Sequence, residues 1–197
     1  MSLLLRLKTE TRSHHECTEA SVRLLEPGLT ADDYRRHLEA VLGFQAPVEA
    51  PLTEVLDAAL PALRMRERRK VPLLEQDLRA LGHDAASLSR LPRCARRPSV
   101  SELPEALGCA YVLEGSTLGG QLILRHLRRH FGERAPGGFA YFQAHGEEVG
   151  ARWRAFGEAL LQASADAAST DFDARVVLAA QDTFDCFGAW LRESRGT

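Results

Sequence analysis

The sequence predicts an all-α protein, a single-domain multi-helix bundle over 1–197, and three observations carry that prediction. Apolar residues recur at steps of three and four along nearly the whole chain. No stretch shows sustained period-2 alternation rich in Val, Ile or Thr that would mark a strand. With 197 residues, 45% of them hydrophobic, the chain can bury one substantial core and its length demands no second domain.

Taken in order, the first helix runs from Leu3 to Leu25, with Ser2 as N-cap, and stops before Glu26-Pro27-Gly28. Thr30 with Asp33 caps a second helix that turns Tyr34, Leu38, Val41 and Leu42 inward and ends near Pro47. A third covers Leu52 to Lys70, bent or restarted at Pro61, and a fourth Val71 to Leu81, closed by Gly82. Pro92, Pro98 and interspersed arginines make Arg90–Ser99 a connecting loop. A long helix follows from Ser101 to His130, then a loop over Gly132–Gly138. Two further helices cover His145–Ala165 and Phe172–Glu193, the last capped by Thr170 and Asp173.

Charge and termini exclude several classes of function. The 25 Lys+Arg and 27 Asp+Glu give a net charge of −2, no field for a polyanion, so no nucleic acid is expected as partner. The opening leucines, interrupted by Arg6, are too short for a signal sequence or a membrane span, and the tail from Arg192 is polar. These features predict a cytoplasmic protein with no membrane contact. Cys17, Cys94, Cys109 and Cys186 are dispersed with no CxxC pair, which reads as reduced and mostly buried thiols.

Two segments stand out. In the first helix Leu4, Leu7, Thr11, His15, Thr18, Val22 and Leu25 share one stripe, so His15 falls among core-facing residues. Glu19 lies one turn beyond it, where a carboxylate can take the second ring N–H of a metal-binding histidine. Lys8, two turns or about 10 Å earlier, points to nearly the same side, where a cation can meet an acidic group at a ligand's edge. The residues alone leave open whether His15 is a ligand or a hydrogen-bonded packing residue, and whether Lys8 is merely solvated. His14, about 100° away, reads as surface.

The second segment is Tyr111-Val112-Leu113-Glu114-Gly115-Ser116-Thr117-Leu118-Gly119-Gly120-Gln121. Three glycines inside a helix each cost roughly 1 kcal/mol relative to alanine. Gly115 and Gly119, four apart, bare one face of the backbone. Either another helix packs tightly there, or a flat ligand lies against the exposed backbone. The pattern is no phosphate loop, for it has neither the Walker lysine nor a preceding strand.

Together these two segments resemble one family, the heme oxygenases. Leu7-Lys8-Thr9-Glu10-Thr11-Arg12-Ser13-His14-His15-Glu16-Cys17-Thr18-Glu19 looks like the family's proximal helix, and Gly115 to Gln121 like its distal helix. With Thr183-Phe184-Asp185-Cys186-Phe187-Gly188-Ala189-Trp190-Leu191, the wording is similar to bacterial members, especially those associated with bacteriophytochromes. The resemblance implies a bundle with heme b, both cofactor and substrate, between a proximal helix and a kinked distal helix. It gives His15 as ligand to the iron, Glu19 as its acidic partner, and Lys8 and Arg154 as cations toward the propionates. Tyr111 would line the pocket, and Gly115, Ser116, Gly119 and Gly120 would form the distal surface. Ser116 stands where mammalian-type members carry an aspartate that organises the proton-delivering water.

The implied reaction opens the ring to biliverdin, carbon monoxide and iron, with dioxygen and an electron donor such as ferredoxin or a reductase. A bacteriophytochrome is the implied recipient of biliverdin. A non-catalytic heme carrier or sensor on the same scaffold is the competing expectation. A di-iron carboxylate bundle is disfavoured because no Glu is followed three residues later by His. A thiaminase-like enzyme would need an activated cysteine, and Cys109 and Cys186 sit in apolar stretches.

Overall fold

A computed structural model describes residues 1–132 and 135–194, all of them helix, turn or loop with no strand. Residues 133–134, within the loop predicted over Gly132–Gly138, and 195–197, in the polar tail, lie outside the described residues. The helices are α1 Leu3–Glu10, α2 Arg12–Glu19, α3 Ala31–Ala59, α4 Val71–Ala80, α5 Ala85–Arg90, α6 Leu103–Phe131, α7 Ala140–Gln143, α8 Val149–Ala167 and α9 Thr170–Glu193.

The predicted first helix is two helices. Thr11 leaves helical geometry (φ −100°, ψ 0°), and its hydroxyl donates to the Leu7 carbonyl at 2.7 Å, so α1 and α2 meet at a bend. The helix also ends at Glu19 rather than Leu25, and Leu25 is exposed beyond it. The opposite correction applies to α3, which joins the two helices predicted on either side of Pro47. A proline at 47 removes the N–H that would bond the Gly43 carbonyl. That carbonyl instead accepts the Cys94 N–H at 3.0 Å, so a distant loop supplies the missing donor and the helix continues. It ends at Ala59, and the chain to Arg68 forms short 3-10 turns around left-handed Arg64.

The ends of α4 and α6 lie close to expectation. Gly82 (φ +98°) closes α4 while the His83 N–H returns to the Leu78 carbonyl at 3.0 Å, a C-terminal cap that only glycine adopts without strain. Two short helices were unforeseen: α5, capped reciprocally by Asp84 and Ser87, and α7. The last helix starts earlier than predicted, with Ser169 as N-cap accepting from the Phe172 N–H. Asp173 instead takes the Ser164 hydroxyl at 2.6 Å.

The centre of the molecule is the pair α6 and α9, which run parallel. Arg175 near the start of α9 pairs with Glu105 at 2.7 Å near the start of α6. Gly108 then lets the helices nearly touch, because a Cβ there would sit 2.3 Å from the Val176 carbonyl oxygen. Leu3, Leu7, Leu107, Phe156, Leu160 and Val176 bury the seam shared with α1 and α8. A second apolar cluster, with Tyr34, Leu38, Leu74, Leu78, Leu127 and Phe142, joins α3, α4, α7 and the distal half of α6. Among the described residues no helix is long and apolar enough to cross a membrane.

Candidate functional site

Helix α2 is laid on α9 by its polar face. His14 Nδ1 meets Asp185 Oδ1 at 2.7 Å, and the Thr18 hydroxyl reaches the Phe184 carbonyl at 3.0 Å. His14, expected at the surface, is half-buried against α9 and keeps an exposed partner in Asp185. His15 sits on the stripe of Leu7, Thr11 and Thr18, all buried, yet its own side chain is 52% exposed. Its ring stands edge-on to Phe184 with centroids 5.4 Å apart, and Nδ1 lies 3.4 Å from Glu19 Oε2. A core-facing position with nothing covering it is a place where something else packs. An Nδ1 turned to the carboxylate leaves Nε2 as the ring's free donor atom.

The α6 glycines show how the opposite surface is built. Gly108, Gly115 and Gly119 share one face, since seven and eleven residues are close to whole numbers of turns. At Gly108 that face is pressed on α9. At Gly115 a Cβ would make ordinary contact with Trp153 at 3.5 Å, and at Gly119 it would meet nothing within 4 Å. Hence α6 parts from its neighbours along this face, and tight helix packing accounts for Gly108 but not for Gly119. Gly120 is turned away and buried, 3.5 Å from Phe142. Ser116 is exposed beside the open face, its hydroxyl donating to the Leu113 carbonyl at 2.7 Å. The helix stays unbroken through all three glycines.

Tyr111, one turn before Gly115, is half-buried between Trp153, at 5.6 Å between rings, and Thr11 at the α1–α2 bend. Burial raises its phenol above the usual range while the Thr11 hydroxyl partly offsets this. The contact brings the start of α2 to α6. From there α2 leads to His15 and α6 leads to Gly115 and Gly119, over a floor that includes Phe184.

Lys8 and Arg154 are both exposed, and the register of α1 against α8 brings them to one edge. A Cβ at Gly157 would sit 3.3 Å from Leu4, and Trp153 lies by Tyr111, which faces Thr11, so the two helices are antiparallel. Lys8 falls between Leu4 and Thr11 just as Arg154 falls between Gly157 and Trp153. Two exposed cations thus lie on facing turns of α1 and α8, near the level of Thr11 and Trp153.

Sequence reasoning missed several residues here. Leu118 and Leu122, exposed at 43% and 54%, continue the open face of α6, and their positions beside Gly119 were a readable signal. Phe184 and the buried charges of Glu49, Arg68, Lys70 and Glu114 left no local signal, because their partners are remote in sequence. A surface groove of about 950 Å³ between the start of α3 and the end of α9 contains none of the predicted site residues.

Two rival expectations fail on chemistry. Burial pushes the Cys109 thiol up to about 12 and Cys186 up to about 11, the reverse of an activated nucleophile. Among the described residues no group of three or more His, Cys, Asp or Glu gathers to hold a metal, so a di-iron centre has no ligand set. A planar group held by one histidine fits what is present: one uncovered imidazole, a side-chain-free helical face, exposed leucines and two rim cations.

Comparisons with known proteins point to one family. The family model described as heme oxygenase matches residues 1–193. A heme oxygenase of Xanthomonas campestris is 32% identical, covering 83% of this chain and 91% of the relative. The heme oxygenase PigA of Pseudomonas aeruginosa is 32% identical over 66% of this chain and 65% of its own length. A heme oxygenase from Neisseria meningitidis, solved with NO and CO bound, superposes with a TM-score of 0.79 at 24% identity, covering 100% of this chain and 93% of that one, and shows the shared fold. By its sequence over nearly its full length, this chain belongs to the heme oxygenase family.

Proposed function

We infer that the chain is an enzyme that cleaves heme oxidatively to biliverdin, carbon monoxide and iron, with dioxygen and electrons from outside. The whole chain acts as one domain in this reading. The carrier alternative is not favoured, because the family and the relatives are named for the oxygenase. What supports the site assignment most is that His15 and Gly119 are both uncovered, His15 beside Phe184 of α9 and Gly119 on α6, the helix packed along α9.

Heme supplies the iron and the conjugated ring on which oxygen is activated and which is itself opened. The protein's part is to bind, orient and exclude. His15 holds the iron through Nε2, while Glu19 fixes the ring's tautomer and increases its basicity. Lys8 and Arg154 would pair with the propionates and so orient the bound heme. Leu118 and Leu122 cover apolar ring surface. Gly115 and Gly119 let the helix backbone approach closely, which restricts the direction in which a small ligand can lean. Ser116 has a hydroxyl able to hold water there, though it contributes no charge. An electron donor such as a ferredoxin or a reductase, a bacteriophytochrome as recipient of biliverdin, and a cytoplasmic location complete the proposal.

Reconstitution with heme followed by chromatography of the products tests it. The expected outcome is biliverdin from the wild-type protein and none from His15→Ala, with loss of the histidine-ligated ferric spectrum. An unchanged spectrum and yield in His15→Ala would refute the assignment.

A further inference from the structure

Behind the open face of α6 lies a cluster of four buried charges. Arg68 Nη1 meets Glu114 Oε2 at 2.6 Å, and Lys70 Nζ stands 3.9 Å from Glu114 Oε1. Glu49 accepts the backbone N–H of Lys70 at 2.6 Å and of Val71 at 3.0 Å, with Arg69 Nε at 3.1 Å on its other oxygen. Arg68 also donates to the Leu63 and Arg152 carbonyls, at 2.8 and 3.2 Å. His145 and Arg152 are the further titratable groups within electrostatic reach. Burying such a set costs free energy that an apolar packing would not, so a positional role is the natural question.

The cluster reaches Ser116 through the Leu113 carbonyl, and Ser116 also meets the Tyr141 phenol, which takes a hydrogen bond from Gln45 and feels the charge of Glu49. Lys70 Nζ donates to the Leu113 carbonyl, and the Ser116 hydroxyl donates to the same oxygen. In an unbroken helix the Thr117 N–H claims that oxygen as well. A carbonyl has two lone pairs, and here three donors compete for them. The hydroxyl is the donor that leaves most easily, because it turns about one bond and belongs to an exposed residue, whereas Lys70 is buried.

We propose that Lys70, held by Glu114 and Glu49, is a positioning residue of the distal surface: by sharing the Leu113 carbonyl it weakens that oxygen's hold on the Ser116 hydroxyl, so that the hydroxyl turns more readily to an acceptor in the cleft. Ser116 then offers a hydrogen bond where the mammalian-type aspartate is missing, with a buried ammonium behind the helix as the source of its orientation. Glu114 opposes this effect by attracting the ammonium, so removing the two charges acts with opposite sign. The inference rests on the heme-cleaving reading of the cleft.

Fluoride titration of the heme-loaded ferric protein, read in the Soret band, tests it, since fluoride is an anion that accepts a hydrogen bond. Lys70→Met is expected to weaken fluoride binding about 3- to 10-fold, and Glu114→Gln to leave it unchanged or tighten it. Weakening of one net hydrogen bond to the bound anion gives an effect of that order. Ser116→Ala should weaken fluoride to the same extent, and adding Lys70→Met to it should change little more. Weakening by both charge variants alike, or fluoride affinity unmoved in Ser116→Ala, would overturn the proposal. Heme that fails to bind wild type through His15 would instead sink the functional reading itself.

Discussion

Gly108 and Gly119 lie on one face of α6 and illustrate two unrelated reasons for a bare backbone. At Gly108 an added methyl would meet the Val176 carbonyl oxygen at 2.3 Å, so Gly108→Ala must separate α6 from α9. We expect a loss of about 2 kcal/mol, read as a lower Tm. At Gly119 nothing lies within 4 Å, and a leucine gains up to about 1 kcal/mol of helix propensity. Gly119→Leu should therefore fold at least as stably as wild type while losing heme cleavage, because its side chain would occupy the place of the ligand. Full biliverdin yield from that variant would contradict the site. Glu19→Ala belongs with it: loss of the His15 partner at 3.4 Å should lower heme affinity or turnover on the order of 10-fold, measured by heme titration.

Elements were legible where their signals were local. Long amphipathic stretches gave α3, α4, α6, α8 and α9, and two motifs separated by a hundred residues pointed to His15 and the α6 glycines. Pro47 misled because the donor that replaces its missing N–H comes from Cys94, and no local pattern announces that. The bend at Thr11 depends on one side-chain hydrogen bond back to Leu7. The charged cluster behind α6 was invisible for the same reason, since Arg68 and Glu114 are 46 residues apart. Helix α7 makes the case testable. Four residues do not sustain a helix alone. Its first N–H groups, of Ala140 and Tyr141, end on the Asp77 carboxylate at 2.8 and 2.9 Å. Asp77→Ala should leave those two buried donors unpaired and cost about 2–3 kcal/mol, with faster hydrogen exchange across 139–144. Equal exchange in the variant would show that α7 is held by its apolar contacts alone.

At the scale of the whole molecule, the pH dependence of stability follows from groups far apart in the fold. His126 and His145 each bury an Nε2 atom without a hydrogen-bond partner. Burial, the largest cause, holds both imidazoles below the usual histidine value of 6.5. His130 and Arg129 add to it at His126, and Arg152 at His145. For a base depressed in the fold, the unfolded chain binds the proton first as pH falls. The stabilising contribution is full above 6.5 and is lost toward the folded-state values below it. Asp77 acts in the opposite sense: burial raises its carboxyl, so its contribution weakens as pH rises above 3.8. Asp77 therefore cannot produce a loss of stability on mild acidification, and the two histidines can. Tm should fall as pH is lowered from about 7.5 to about 5.5, and the double variant His126→Gln/His145→Asn should flatten that slope. Asparagine is chosen at 145 because the backbone there is left-handed, with φ +67°. If the double variant retained the wild-type acid slope, the dependence would have to come from carboxylates, and the buried imidazoles would have no part in it.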